Sequence, residues 1–336
     1  MTTRSILTPA IAAVAAAATA AYALRRLVLL RAAMAPVAPE LRSPVLPFTT
    51  RGLGERSLRL SRFGMSRRTP VGHGVTETER YVDSTPTVRV LVTTPVTPRS
   101  GRPAVLMIHG GGMVVGSPEF EAFGAGILAR DLDAVVVSPD YRLAPEHPFP
   151  AALDDCMATL HWMRAHADGL GIDPERIAVA GSSAGGGLSA AVAQRSTDEG
   201  IGLRAQVLVY PMMDDRTALR DDHGGRGRYM WTPESSRWCW RAYLGREPQL
   251  AHAPEYAAPA RRGDLSGLPP AWVGVGDLDI LYDECVSYAE RLTADGVPCE
   301  LVTVPGMYHG ADGIKRNALS MKAFRQGVID HLRAYL

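Results

Sequence analysis

The stretch Ile177-Ala178-Val179-Ala180-Gly181-Ser182-Ser183-Ala184-Gly185-Gly186-Gly187 decides the fold. Its first four residues form a continuous apolar run, as a strand buried on both faces requires. The run stops at glycine and serine. Leu188 to Gln194 then follows as a small-residue, Ala-rich segment that reads as a helix. Strand, tight turn and helix is the setting in which Gly-x-Ser-x-Gly has a mechanical meaning. Gly181 and Gly185 flank Ser183 because a side chain at either place would clash across so sharp a bend. The bend would lift the Ser183 hydroxyl off the end of the sheet and aim the Ala184 N–H at the same point. A serine hydroxyl is a weak nucleophile, so this reading requires a base, an orienting acid and oxyanion donors elsewhere in the chain.

Working outward, the same alternation recurs. Val75 to Val82 and Val88 to Val92 read as a hairpin across Asp83–Thr87. Ala104–Ile108, Ala134–Val137, Ala205–Val209, Ala271–Val275 and Cys299–Val304 read as further strands. Phe120–Arg130, Ala151–His166, Tyr282–Asp295 and Asn317–Tyr335 read as helices, with Leu153, Met157, Leu160 and Met163 on one face of the second. Strands alternating with helices predict an α/β fold with about eight strands, mostly parallel, the opening pair antiparallel. A catalytic domain over residues 75–336 follows. Residues 212–258 interrupt its rhythm: they are polar and rich in Gly and Arg at first, then carry Tyr229, Trp231, Trp238, Trp240 and Tyr243. Three of the five tryptophans lie there, which favours a lid whose apolar face lines a pocket over extra core.

Residues 1–74 differ in character. They hold eleven arginines against Glu40 and Glu55, a net +9 in a chain whose overall charge is +1. A near-neutral whole gives no field for nucleic acid or anionic substrates, while the basic first segment suggests a separate job. Within it, Ile6 to Leu24 carry no charge and are bounded by Arg4 and Arg25-Arg26. The length suits a bilayer core. A signal peptide cleaved near Ala18-Thr19-Ala20 and a soluble cap helix are alternatives. The dense arginine that follows favours an uncleaved anchor or membrane-associated helix in residues 1–34, with the catalytic domain on the cytoplasmic side. Residues 35–74 then read as an Arg-, Pro- and Gly-rich linker or cap. Cys156, Cys239, Cys285 and Cys299 form no CxxC pair and read as reduced thiols, with no metal site.

The chain supplies the partners Ser183 requires. His109-Gly110-Gly111-Gly112 follows the strand Ala104–Ile108 directly, and consecutive glycines leave backbone N–H groups free to converge on one oxygen. No Lys-Ser/Thr follows, so a phosphate-cradling loop is disfavoured. His109 itself reads as a support for the loop. Among nine histidines, His309 in Pro305-Gly306-Met307-Tyr308-His309-Gly310 sits just past the last strand and is the candidate base. His147, His161, His166 and His331 read as surface or packing residues. The acid lies in Gly276-Asp277-Leu278-Asp279, where order alone leaves Asp277 and Asp279 both open. The order Ser, Asp, His is that of an α/β-hydrolase triad.

These motifs resemble the hormone-sensitive-lipase-like branch of the α/β-hydrolases, which includes bacterial carboxylesterases and arylacetamide deacetylase. The resemblance covers about residues 75–335. It rests on His109–Gly112, Asp140-Tyr141-Arg142-Leu143-Ala144-Pro145-Glu146, Gly181–Gly186, Leu268-Pro269-Pro270, Asp279…Asp283-Glu284 and Met307…His309-Gly310. It implies that Asp279, four residues before the Asp-Glu pair, is the acid, and that Gly111, Gly112 and Ala184 are the oxyanion donors. It implies hydrolysis of small carboxylic esters without a cofactor, and buried aromatics around a small site favour short to medium acyl chains. An amidase or peptidase using the same triad is the alternative; a non-catalytic binding protein would be expected to have lost the triad. Three positions depart from the family pattern: Ser182 where Asp or Thr is usual, Met113 where an aromatic is common, and Ala311 after His-Gly. Met113 would widen the acyl pocket, with Trp231 and Trp238 as candidate pocket or lid residues. Asp140–Glu146 reads as structural, with a buried Arg–carboxylate pair bracing the strand end.

Overall fold

Six strands run parallel, and those in the middle of the molecule are apolar on both faces and must be covered by helices. The computed structural model describes residues 32–50 and 52–336, together with Thr19, Ala21, Tyr22 and Arg25. The uncharged run 6–24 therefore lies almost wholly outside the described residues. Among the described residues, no helix is long and apolar enough to cross a membrane.

The strands are β1 (Val75–Val82), β2 (Val88–Pro95), β3 (Arg102–Ile108), β4 (Val135–Pro139), β5 (Ile172–Ser182), β6 (Gln206–Val209), β7 (Ala271–Gly276) and β8 (Cys299–Val304). They form one sheet in the order β1-β2-β4-β3-β5-β6-β7-β8. β2 is antiparallel to both β1 and β4, and every later pair is parallel. Among the described residues, the helices of eight or more residues are α1 (Leu58–Met65), α2 (Ala122–Leu132), α3 (Ala151–Ala165), α4 (Ala184–Asp198), α5 (Pro233–Leu244), α6 (Tyr282–Ala294) and α7 (Leu319–Tyr335). α2 packs against α7, and α3 against α4. Gln194 on α4 donates to the Tyr288 hydroxyl on α6 at 3.1 Å. The sheet is thus covered on both faces, as an α/β architecture demands.

β5 begins five residues earlier than the apolar run indicates. Its first part, Asp173-Pro174-Glu175-Arg176, is polar and half-exposed, so no hydrophobic period announces it. The pairing with β3 also slips between Arg102 and Ala104, which takes up the extra length. From Ile177 the register is regular and ends with Ile108 opposite Gly181. That last pair sets the His109 loop and the Ser183 turn side by side.

Residues 35–50 and 52–74 include short 3-10 turns and α1, and bury Val37, Leu41 and Leu46 against the body. The insertion 212–258 divides in two. Trp240 and Tyr243 on α5 are fully buried core, Tyr243 lying edge-on to Phe149 at 5.7 Å. Trp231, just before α5, lies over the catalytic edge.

Candidate active site

The turn after β5 is as tight as its glycines suggest. Ser183 has φ 55° and ψ −119°, a conformation that costs a non-glycine residue about 1–3 kcal/mol. A Cβ at Gly181 would run into the Gly185 carbonyl, and one at Gly185 into the carbonyls of Ile108 and His109. The strain is held by ordinary hydrogen bonds: Ser183 N–H donates to Val209 O at 2.8 Å, and Met212 N–H to Ser183 O at 2.9 Å. Helix α4 starts at Ala184, whose N–H belongs to the unpaired first turn of a helix.

The turns after β7 and β8 meet this edge. Gly276 has no room for a side chain against the Met307 carbonyl. Leu278 N–H donates to Met307 O at 3.1 Å, which stitches the two turns together. The two aspartates then diverge. Asp277 Oδ1 accepts from Gly306 N–H at 2.7 Å and fixes the turn. Asp279 Oδ2 lies 2.6 Å from His309 Nδ1, and its Oδ1 accepts from Leu281 N–H at 3.0 Å. His309 Nε2 lies 2.9 Å from Ser183 Oγ. Ser183, Asp279 and His309 are all buried. The Tyr210 ring lies edge-on to His309 at 4.6 Å, and its hydroxyl donates to Asp312 Oδ1 at 2.8 Å. Burial raises the Asp312 carboxyl above its usual range, partly offset by that hydrogen bond.

The glycine loop curls over the nucleophile. Gly111 and Gly112 have φ of 119° and 61°. Among the described residues no acceptor is recorded for either N–H, while Gly111 O accepts from Val114 and Val115. His109 stacks on Tyr141 at 4.1 Å, with Nδ1 2.8 Å from Gly110 O. Tyr141 also donates from its hydroxyl to His109 O at 2.9 Å. Burial depresses the His109 pKa to about 4, so the ring is neutral at pH 7. Met113 is buried with φ 60°, and Ala144 N–H donates to its carbonyl. The arginine of the Asp140–Glu146 motif finds its partner outside the motif. Arg142 grips Asp155 of α3 at 2.8 Å, while Asp140 pairs with Arg89 and Glu146 with Arg62.

The roof comes from two distant pieces. The Trp231 ring lies 5.8 Å from that of His309. A Cβ on Gly112 would meet Trp231 Cη2 at 2.7 Å and Cys239 Sγ at 2.8 Å. Trp238 is partly buried against the hydrophobic core, with no recorded contact to the catalytic residues among the described residues. The N-terminal segment holds the insertion: Met230 N–H donates to Thr49 O at 3.2 Å, and Leu53 N–H to Ser235 Oγ at 2.8 Å. Arg62 on α1 reaches Val114 O at 2.9 Å, Ala144 O at 3.0 Å and Glu146.

Three neighbours were invisible to sequence reasoning. Tyr210, Asp312 and Glu121 carry no motif of their own; Asp312 lies three residues past His309, while Tyr210 and Glu121, whose Oε1 accepts from Gly110 N–H, reach the site only through the sheet's crossovers. The four cysteines are free thiols. No cluster of metal-ligating side chains occurs among the described residues.

A buried Ser–His–Asp chain at the carboxyl edge of a mostly parallel sheet, facing a glycine-rich loop, defines the serine-hydrolase class of α/β proteins. The comparisons agree. The family model described as alpha/beta hydrolase fold matches residues 105–312, and the chain belongs to that family, in its hormone-sensitive-lipase-like, carboxylesterase-type branch. Carboxylesterase NlhH of Mycobacterium tuberculosis is 41% identical over 230 residues, 66% of this chain and 70% of that protein. Esterase LipI of the same organism is 39% identical over 212 residues, 63% of this chain and 66% of that protein. The matched part thus spans about two thirds of these relatives' length. Among solved structures, a bacterial heroin esterase superposes with a TM-score of 0.82 at 33% identity, covering 90% of this chain and 99% of that one. Esterase LipW from Mycobacterium marinum gives 0.79 at 31%, covering 90% and 97%.

Proposed function

We propose that the chain hydrolyses short- to medium-chain acyl esters, with Ser183 as nucleophile, His309 as general base and acid, and Asp279 as the residue that orients His309. The observation that carries this reading is the continuous link from Asp279 through His309 to Ser183, at 2.6 and 2.9 Å. His309 Nε2 takes the Ser183 proton as Oγ attacks the acyl carbon. Negative charge gathers on the former carbonyl oxygen, where the N–H groups of Gly111, Gly112 and Ala184 donate to it. Asp279 stabilises the His309 cation, which then protonates the departing alcohol. Water, activated by His309, cleaves the acyl-enzyme by the same route. The preference for short to medium acyl groups rests on the buried aromatic Trp231, which packs over Gly112 and beside His309.

The test is labelling with a fluorophosphonate probe together with a p-nitrophenyl ester chain-length series. Ser183 is expected to label, and turnover to fall for long chains. Folded wild-type protein that stays unlabelled overturns the triad. An amide-over-ester rate preference moves the activity to the amidase class.

The proposal extends to membrane association through residues 6–24, with the catalytic domain on the cytoplasmic side. Its support is the uncharged run between Arg4 and Arg25-Arg26. The full-length chain is expected to sediment with lipid vesicles; full-length protein that stays wholly in the supernatant overturns it.

A further inference from the structure

The geometry points to Glu121 as a positioning residue that ties the glycine-rich loop to the nucleophile turn through a single carboxyl oxygen. This inference rests on the proposed roles of Ser183, Gly111, Gly112 and Ala184. An oxyanion site needs N–H groups from two different loops to converge on one atom, and small displacements there are costly. One loop leaves β3, the other leaves β5. The sheet holds the two strands in register only as far as Ile108 opposite Gly181. Beyond that pair the ladder ends and something else must hold the spacing.

Glu121 Oε1 occupies that place. It accepts from Gly110 N–H at 2.9 Å and from Ser182 Oγ at 2.7 Å. Gly110 immediately precedes the two glycine donors, and Ser182 immediately precedes the nucleophile. The loops cannot make the link themselves. A Cβ on Gly110 would sit 2.9 Å from Ser182 O and 3.1 Å from Ser182 Oγ. The carboxylate therefore comes from outside, at the start of α2. Glu121 occupies the position before the first residue of that helix, yet its side chain makes no capping hydrogen bond to it. Ordinary helix capping does not account for its orientation.

The departure at position 182 fits the same arrangement. An aspartate there would set two carboxylates against each other, whereas the Ser182 hydroxyl donates. Burial pushes the Glu121 carboxyl up to about 7, with the charge of Asp312 adding to the effect. Both protonation states keep the link, since the neutral acid still accepts through its carbonyl oxygen and the ionised form accepts more strongly.

The test compares Glu121→Leu, Glu121→Gln and Ser182→Ala for kcat and KM on a p-nitrophenyl ester, with thermal unfolding to check the fold. Glu121→Leu is expected to lower kcat by about 30-fold or more with KM little changed, because the loss falls on transition-state contacts. Glu121→Gln keeps an acceptor oxygen for both donors and is expected to restore kcat to within about threefold of wild type. Ser182→Ala removes one of the two links and is expected to lower kcat several-fold. Folded Glu121→Leu with kcat near wild type, a loss confined to KM, or a Glu121→Gln variant as slow as Glu121→Leu each overturns the inference. If Glu121→Leu fails to fold, an unchanged kcat in Ser182→Ala overturns it. Fluorophosphonate labelling of the wild type separates the two levels. An unlabelled wild type removes the nucleophile reading itself, whereas a labelled wild type with an undiminished Glu121→Leu removes only the role of Glu121.

Discussion

The floor and the roof of this site are built on opposite principles. The floor is main chain and small residues. Gly181, Gly185 and Gly276 exist where backbones pass too closely for a Cβ, and Ser183 bends at φ 55° because its neighbours leave no other path. The roof is side chains reaching between pieces far apart in sequence. Leu53 meets Ser235 across 182 residues, and the Tyr229 hydroxyl meets Ala33 O across 196. A floor set by close packing holds its geometry within a fraction of an ångström. A roof held by a few hydrogen bonds, each with a net value of about 1 kcal/mol, can change its shape and its occupant without disturbing the chemistry. Under the proposed function, this division would give reaction type and substrate choice to different parts of the molecule.

The sharpest way to break this division is at the floor. Ser183→Ala is expected to cut kcat by about a millionfold while the protein stays folded, since alanine keeps the same Cβ and loses only the hydroxyl. Residual ester turnover near wild type would separate the turn from the chemistry altogether. The two aspartates give the next largest contrast. Asp279→Asn should lower kcat by about 10⁴-fold through loss of His309 orientation. Asp277→Asn, whose side chain only accepts from Gly306, should stay within a few-fold of wild type in kcat. Steady-state kinetics on both variants checks this, and equal losses would mean that the whole turn acts as one unit.

At the roof the effects shrink and change character. Trp231→Ala opens space over Gly112 and beside His309, and is expected to raise KM about tenfold for short esters and improve the ratio for longer ones. A fall in kcat alone would place Trp231 with the floor.

Between the two regions sits Glu121, and its ionisation gives a pH signature in stability. Its carboxyl titrates at about 7 in the fold against 4.5 for an ordinary glutamate. Between those values the unfolded chain has lost the proton and the native protein retains it. Stability contributed by this group therefore falls as pH rises from about 4.5 to about 7, then levels off. The Tm of wild type relative to Glu121→Gln should decline across that window. A constant difference from pH 5 to 8 contradicts it. The smallest expected effect is Ser235→Ala, which removes the acceptor for Leu53 N–H. A loss of about 1 kcal/mol in unfolding free energy, with kcat unchanged, would mark the roof's attachment as local.

Much of this architecture was legible in the sequence because the physics involved is local. A strand buried on both faces must be a continuous apolar run, so, while the half-exposed edge strand β8 is read from its alternation, β3, β4, β6 and β7 announce themselves within a residue or two. The polar opening of β5 does not, because half-exposed residues carry no such period. The glycines of the His109 loop and of the Ser183 turn are readable for the same reason: a Cβ is excluded by atoms a few residues away or on the adjacent strand. His309 is readable from its position after the last strand. The order of residues in the turn after β7 leaves Asp277 and Asp279 both open; the resemblance selects Asp279, and in the fold Asp277 meets Gly306 while Asp279 meets His309.

By itself, then, the sequence determined the alternation of elements, the sharp turn at Ser183 and the identities of the residues able to act there. The family resemblance already pointed to Asp279, whereas tertiary structure alone decided that Glu121 bridges Gly110 and Ser182. It also decided that Trp231, rather than Trp238, lies beside His309. The physical reason is range. Backbone sterics and hydrophobic period act over a few residues and leave their mark in the local sequence. A hydrogen bond between side chains 61 or 182 positions apart exists only once the sheet has brought its strands together.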